Sequence, residues 1–382
     1  MLSNLFIRDK APDYSEETVD ILRLIRSENV GPKTFFHLIR LFGSVGKALE
    51  NIGEFSVKGG KSKPITVFSR SAAEKEIDAL KKVGAYLLTY KDFNYSQLLL
   101  QIHDFPPVLS YKGNITLLNR QKTIAIVGAR NSSINSRSFA AKIAKELVEA
   151  GCITVSGLAR GIDTAVHEAS GDHTIAVIAG GIDHIYPPDN KELFERISNN
   201  ALLLAELPVG SKPLSQHFPQ RNRIIAGLAL ATVVVEASLR SGSLITANYA
   251  LEQNREIFAV PGFPLDPRCM GTNKLIKDGA YLLESSADII SNMVTYEKLK
   301  KTLEETQNSS NNFKLPIEDD NLEIKESDRQ VVVKLLSSSP VTFESLSHET
   351  KLSLPVIYTI CLELELAGRI TRHVGNKISL IY

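Results

Sequence analysis

The sequence predicts an α/β protein: a doubly wound, mostly parallel sheet, preceded by a helical domain and followed by a winged-helix domain. Three observations predict it. Over about residues 86–292, apolar runs of strand length alternate with helical patterns, as in a parallel sheet covered on both faces. Residues 1–85 carry short helical patterns from about residue 15 onward. Residues 326–382 read as three helices closing on a hairpin.

In the first region, one helix carries Val19, Ile21, Leu22, Leu24 and Ile25, and a second carries Phe35, Phe36, Leu38, Ile39, Leu41 and Phe42. Asn29-Val30-Gly31-Pro32-Lys33 between them is a tight turn with proline at a helix start. Such a hairpin can present backbone N–H groups to nucleic-acid phosphate, and a bundle of this size can equally be a packing or protein-contact module. In the second region the expected strands are Thr123–Val127, Cys152–Val155, Thr174–Ile178, Ala201–Ala205, Thr232–Val235 and Ile257–Val260. Ser138–Ala150 reads as a helix stopped by Gly151. Tyr90–Asn114, richer in Tyr, Phe and Pro, is expected to extend one sheet edge. Residues 293–325 are polar and irregular, a linker. Beyond it lie helices at Asp328–Leu336, Phe343–Thr350 and Ser353–Ala367, then strands Ile370–His373 and Lys377–Ile381 joined through Gly375-Asn376.

A chain of 382 residues can hold two or three domains. Its formal net charge of +1 gives no global attraction to polyanions, so any nucleic-acid contact must come from local clusters. Cys152, Cys269 and Cys361 are too scattered for a disulfide framework or a zinc ligand set. No window approaches the ~20 apolar residues of a membrane span, and the N-terminus has no apolar signal core. A cytoplasmic protein without a membrane partner is expected.

The richest stretch is Phe218–Ala247, FPQRNRIIAGLALATVVVEASLRSGSLITA. An aromatic and two arginines lead through a short helical pattern into an apolar strand, which emerges in Ser241-Gly242-Ser243 at a new helix start. Gly/Ser backbone at a helix N-terminus favours anions, and arginine forks grip phosphate. The first strand-to-helix turn, Gly128-Ala129-Arg130-Asn131-Ser132-Ser133, puts Arg130 where a dinucleotide fingerprint needs its second glycine. The second strand ends in Val155-Ser156-Gly157, without the usual ribose-binding acid. Nicotinamide and flavin cofactors are therefore not expected. Arg130 is placed to hold a phosphate or, alternatively, to bridge its own loop. In the second turn Arg160 is exposed between glycines, Asp163 is expected as the helix N-cap, and His167 as a packed histidine. Asp183 and His184 in the third turn are expected to order their loop. There is no GxxxxGK[ST] loop, no GxSxG elbow and no clustered metal ligands. Arginines and backbone donors without a nucleophile favour binding several phosphates over chemistry on one. Phe218 beside them can stack a base, or fill the core beneath its loop.

Taken in order, GARNSS, SGLARGID (Ser156–Asp163), GIDHIYPPDN (Gly181–Asn190), FPQRNRIIAGL (Phe218–Leu228), SGSLITA, FAVPG (Phe258–Gly262) and GTNKLIKDGA (Gly271–Ala280) strongly resemble the DNA-processing protein A family, DprA or Smf. The flanks are similar to that family's SAM-like helical domain and winged-helix domain. The resemblance implies an extended Rossmann fold that binds and protects single-stranded DNA without catalysis, cofactor or metal. It further implies homodimerisation and loading of the RecA recombinase during natural transformation. By matching motif, Arg130 is expected to bind phosphate and Phe218 to line a base pocket. Arg221, Asn222 and Arg223 are expected to line the groove, with backbone donors from Ser241, Gly242 and Ser243. Ser133 and Arg160 complete the expected DNA-binding set. Ser215 stands where some relatives have a DNA-contacting lysine.

Two other functions compete. Nucleotide phosphoribohydrolases share a related scaffold, but their PGGxGTxxE pattern is not continued by Pro261-Gly262-Phe263-Pro264. A duplex-reading regulator would use Ser353–Ala367 as recognition helix. That segment contains no Arg or Lys, so protein contact is the better reading for its domain.

Overall fold

The computed structural model describes residues 14–120, 122–293, 324–373 and 377–381. The expected linker, except for its ends, and the Gly375-Asn376 turn lie outside the described residues. Two compact units emerge, one from residues 76–293 and one from residues 14–75 together with 324–381.

The first unit is the sheet. Its strands are β1 (Tyr86–Thr89), β2 (Val108–Gly113), β3 (Thr123–Val127), β4 (Ile153–Ser156), β5 (Thr174–Gly181), β6 (Leu202–Leu207), β7 (Ala231–Val234), β8 (Glu256–Ala259) and β9 (Tyr281–Leu282). They lie in the order β1-β2-β6-β5-β4-β3-β7-β8-β9. Strands β3 to β9 are parallel, β2 runs antiparallel to β6, and β1 antiparallel to β2. The β1–β2 hairpin forms the aromatic edge, and it begins earlier than expected, at Tyr86. Order reverses between β3 and β7, so their carboxyl ends part and leave a crevice, the usual ligand position in such sheets. Every residue of β3, β4, β5 and β7 is buried, which is why these strands read as unbroken apolar runs.

Helix α5 (Ile134–Glu149) follows β3, and Ala140, Ile143, Ala144 and Leu147 pack from it onto Ile124, Ile126 and Val233 of the sheet. It begins four residues before the apolar periodicity does, because the Ser133 hydroxyl accepts the Ser136 N–H at 3.1 Å and starts the helix in polar sequence. The connections continue with α6 (Ile162–Ser170), α7 (Lys191–Asn200), α8 (His217–Gly227), α9 (Gly242–Glu252), α10 (Met270–Lys277) and α11 (residues 286–293).

His167 on α6 is fully buried, its Nδ1 2.7 Å from the Thr174 hydroxyl. Burial, assisted by the charges of Arg196 and Arg221, holds its pKa down at about 3. The folded state therefore keeps the ring neutral where the unfolded chain protonates it. The stability this contributes is complete above the ordinary histidine pKa of about 6.5 and is lost progressively down to about 3. Acidification to pH 5 is expected to cost the sheet unit about 2 kcal/mol through this group alone. Urea unfolding at pH 7.5 and 5 measures it, and a His167 ring titrating near 6.5 by NMR would contradict it.

The second unit opens with α1 (Glu16–Arg26), α2 (Pro32–Phe42) and α3 (Val45–Lys58). Ser15 and Ser44 cap α1 and α3, Pro32 starts α2, and Gly43 ends it in the left-handed region at φ 79°. Helix α4 (Arg70–Lys82) leads out of this unit toward β1. The remainder is the winged helix: α12 (Glu326–Leu335), β10 (Val341–Thr342), α13 (Phe343–Thr350), α14 (Leu354–Leu366), β11 (Ile370–His373) and β12 (Lys377–Leu380), with sheet order β10-β12-β11. Its core gathers Val332, Phe343, Leu346, Ile357, Ile360, Cys361 and Ile378.

Helix α14 is packed against the N-terminal helices. The Asn29 amide donates to the Leu366 carbonyl at 2.9 Å, and Arg369 Nη1 donates to the Gly59 carbonyl at 3.2 Å. Buried Glu363 accepts two bonds from Arg329, at 2.7 and 2.8 Å. Gly59 has an ordinary helical φ of −70°, where alanine would normally be preferred by about 1 kcal/mol. A β-carbon there, however, would collide with the Glu363 carbonyl. Gly59→Ala is therefore expected to destabilise this unit by about 1–3 kcal/mol. An unchanged or raised unfolding midpoint would rule out that packing.

Candidate functional site

A cleft of about 740 Å³ occupies the crevice at the carboxyl ends of the strands. Its lining comes from successive strand-to-helix connections: Gly128–Asn131 after β3, Ala159 and Asp163 after β4, Tyr186 after β5, Ser215 to Asn222 after β6, Ser238 to Thr246 after β7, and Arg268 after β8. Three arginines, Arg130, Arg221 and Arg268, and one carboxylate, Asp163, are among the lining residues. That carboxylate is occupied by the N–H groups of Gly157 and Ala159, at 3.1 and 3.3 Å.

Arg130 is exposed, with its guanidinium 4.6 Å from the Phe218 ring centroid. No described carboxylate pairs with it, so its loop-bridging alternative has no acid to bridge to among the described residues. Phe218 is half-buried, and Tyr186 reaches its ring at 5.5 Å with a 55° tilt. A cation lies over the benzyl ring, and a phenol leans against that ring at a tilt. Planar aromatics add to such a platform with little regard for their identity.

The arginines of α8 part company. Arg221 and Arg223 are two positions apart, which on a helix puts them on opposite faces. Arg221 turns into the cleft wall, 6 % exposed, and donates to the carbonyls of Gly157, at 2.7 Å, and Val177. Burial pulls its guanidinium down to about 10, against the opposing pull of Asp163. Burial in turn raises the Asp163 carboxyl, while Arg221 and the loop N–H groups oppose the shift. Arg221 thus ties the end of β4 to the middle of β5. Arg223 points away from the cleft, buried between Glu206 and Asp104. Asn222, between them, lines the cleft and donates to the Gly242 carbonyl at 3.4 Å.

Ser241, Gly242 and Ser243 also line the cleft. Ser241 is the N-cap of α9, its hydroxyl accepting the Ser243 N–H at 3.4 Å. Space beside Gly242 is open, since a β-carbon there meets nothing within 4 Å. Ser133, by contrast, faces Glu236, which follows β7: the carboxylate accepts the Ser133 N–H at 3.2 Å, its hydroxyl at 2.8 Å and the Ser136 hydroxyl at 2.7 Å. Arg160 is exposed outside the lining and pairs with Asp189 at 2.7 Å. Asp163 is not the cap of α6. Gly161 takes that position at φ 80°, and Asp163 sits in the first turn, satisfying loop N–H groups.

The cleft therefore gathers Arg130, Phe218, Arg221, Asn222 and Ser241–Ser243, and leaves Ser133, Arg160 and Arg223 outside its lining. Tyr186 and Arg268 join it unanticipated. Tyr186 carried a signal, an aromatic in a strand-end loop beside Pro187. Arg268 carried less, being held by its own loop through Asp266 at 2.7 Å. Among the described residues, no group of three or more His, Cys, Asp or Glu is placed to hold a metal ion, and no helix is long and apolar enough to cross a membrane.

The family model for DNA recombination-mediator protein A matches residues 86–294, more than half of the chain. The chain belongs to this family. The DprA-like N-terminal HHH domain matches residues 15–79, and the DprA winged helix domain residues 316–376. The DNA processing protein DprA of Bacillus subtilis (strain 168) is 44% identical over 214 residues, 55% of this chain and 72% of that protein. Its counterpart from Streptococcus pneumoniae (strain ATCC BAA-255 / R6) is 47% identical over 195 residues, 50% and 68% of the two chains. The crystal structure of DprA from Streptococcus pneumoniae superposes with a TM-score of 0.59 and 34% identity, covering 73% of this chain and 98% of that one. A DNA processing protein A structure from Helicobacter pylori, described for its single-stranded DNA binding mode, superposes with a TM-score of 0.51 and 28% identity, covering 55% and 96%. This member is thus a DNA-processing family protein on a doubly wound sheet, with helical HHH and winged-helix domains attached.

Proposed function

We infer that this chain binds single-stranded DNA in the strand-end cleft, without catalysis, and hands it as a homodimer to a RecA-type recombinase in the cytoplasm. The observation that carries the reading is the stack of Arg130 on Phe218 beside the open α9 N-terminus. A guanidinium and a helix start with open space at Gly242 suit phosphate, and an aromatic platform suits bases of any sequence. In this reading Arg130 grips phosphate and Phe218 carries a base. Asn222, Ser241, Gly242 and Ser243 line the track, while Arg221 holds the wall. The single-strand binding of the Helicobacter pylori relative supports the assignment. Titrating an oligo-dT strand and a matched duplex at several salt concentrations tests it. Tighter strand binding with a steep salt dependence is expected; equal or tighter duplex binding would overturn it. Faster assembly of recombinase on a strand precoated with single-strand-binding protein is the test of the loading step.

A further inference from the structure

We propose that Glu236 is a built-in phosphate surrogate that closes the α5 start to nucleotide phosphate, leaving the cleft too few contacts to hold a free nucleotide and so reserving it for a strand. In doubly wound sheets, a nucleotide phosphate rests on the N-terminus of the helix after the first parallel strand, at the point of order reversal. Here that helix is α5. Three donors at its start, the N–H and hydroxyl of the N-cap Ser133 and the Ser136 hydroxyl, converge on the Glu236 carboxylate, which arrives from β7 across the reversal and is 2 % exposed.

The glycines that would give a pyrophosphate room are also filled from within. A β-carbon on Gly128 would lie 2.6 Å from the Ile162 side chain, and one on Gly157 would lie 2.5 Å from the Arg221 guanidinium. One on Gly161 would strike the Ala129 and Arg130 carbonyls. The loops therefore close on each other. Only at Gly242, on α9, does a glycine of this cleft open to empty space. A phosphate at α5 would have to displace a carboxylate already holding its donors. A strand instead passes along Arg130 and α9. The inference rests on the strand-binding reading for the identity of the favoured ligand, but the refusal of nucleotides is measured separately.

The experiment titrates AMP and ADP into the full-length protein, into Glu236→Gln and into Glu236→Ala, with an oligo-dT titration of the unmodified protein in parallel. The unmodified protein is expected to show no saturable ADP binding up to ~10 mM. The alanine variant is expected to gain at least a tenfold increase in ADP affinity, and the glutamine variant a smaller one. A purely structural role for Glu236 would give no such gain. Saturable ADP binding by the unmodified protein overturns the proposal. So does a folded variant of either kind that binds ADP no better than its parent. Should Glu236→Ala not fold, the isosteric Glu236→Gln carries the comparison. Failure of oligo-dT to bind the unmodified protein would sink the strand-binding reading while leaving the ADP result to judge Glu236.

Discussion

Replacing Arg130 with alanine is expected to weaken oligo-dT binding by about 10- to 100-fold, the worth of one charge-assisted contact of ~1.5–3 kcal/mol. The melting temperature should stay within a degree of its starting value. The residue is exposed and pairs with no described carboxylate, so little of the fold depends on it. The salt dependence should change with the affinity. On a single strand each phosphate contact contributes about −0.7 to the slope of log K against log salt, so the variant's slope should flatten by about that amount. Fluorescence anisotropy at four or five salt concentrations reads both quantities. Weakened binding at an unchanged slope would mean that Arg130 acts through Phe218 stacking alone.

Arg221→Met is expected to give the opposite profile, with the primary loss in stability. The substitution preserves bulk but leaves buried Asp163 without its compensating charge, and frees the Gly157 and Val177 carbonyls. Removing one partner of a buried charge pair costs about 3–5 kcal/mol. In a domain of this size that amounts to a fall of roughly 10 °C in melting temperature. Replacing Asp163 with asparagine in the same chain should recover part of it, because the stranded carboxylate is then gone. A variant that melts normally yet loses strand affinity would make Arg221 a direct phosphate ligand and refute its role as a wall tie. Calorimetry of the two single variants and the double variant separates these outcomes.

How much of this was legible beforehand depended on the range of the interaction concerned. Thr123–Val127 is found as a strand at its expected limits, because β-branched Thr123 and four apolar residues between Lys122 and Gly128 leave no other boundary. β5 runs on to Gly181, because Gly181 pairs with Leu207 beyond an irregularity in the ladder, a partner its own sequence cannot announce. In the site, Arg130, Phe218 and the Ser241–Ser243 turn follow from local pattern, since strand ends and helix starts determine where they face. Arg223, expected in the groove with Arg221 and Asn222, lies outside it because the helical period of α8 turns residues two apart to opposite faces. Glu236 was visible as an acid ending a strand. Its partners Ser133 and Ser136 lie about a hundred residues away, and only the parallel pairing of β3 with β7 brings them together.

The unit containing the winged helix is made from both flanks of the chain, with the whole of the sheet encoded between them. During synthesis α1–α3 leave the ribosome before the sheet does, and α14 after it. The Asn29 amide and the Gly59 carbonyl must therefore wait for Leu366 and Arg369. The sheet, contiguous in sequence, can close in the interval, as domains generally fold in the order they emerge. A chain cut short after the sheet would thus have a complete cleft while α1–α3 still lacked the partner that buries them.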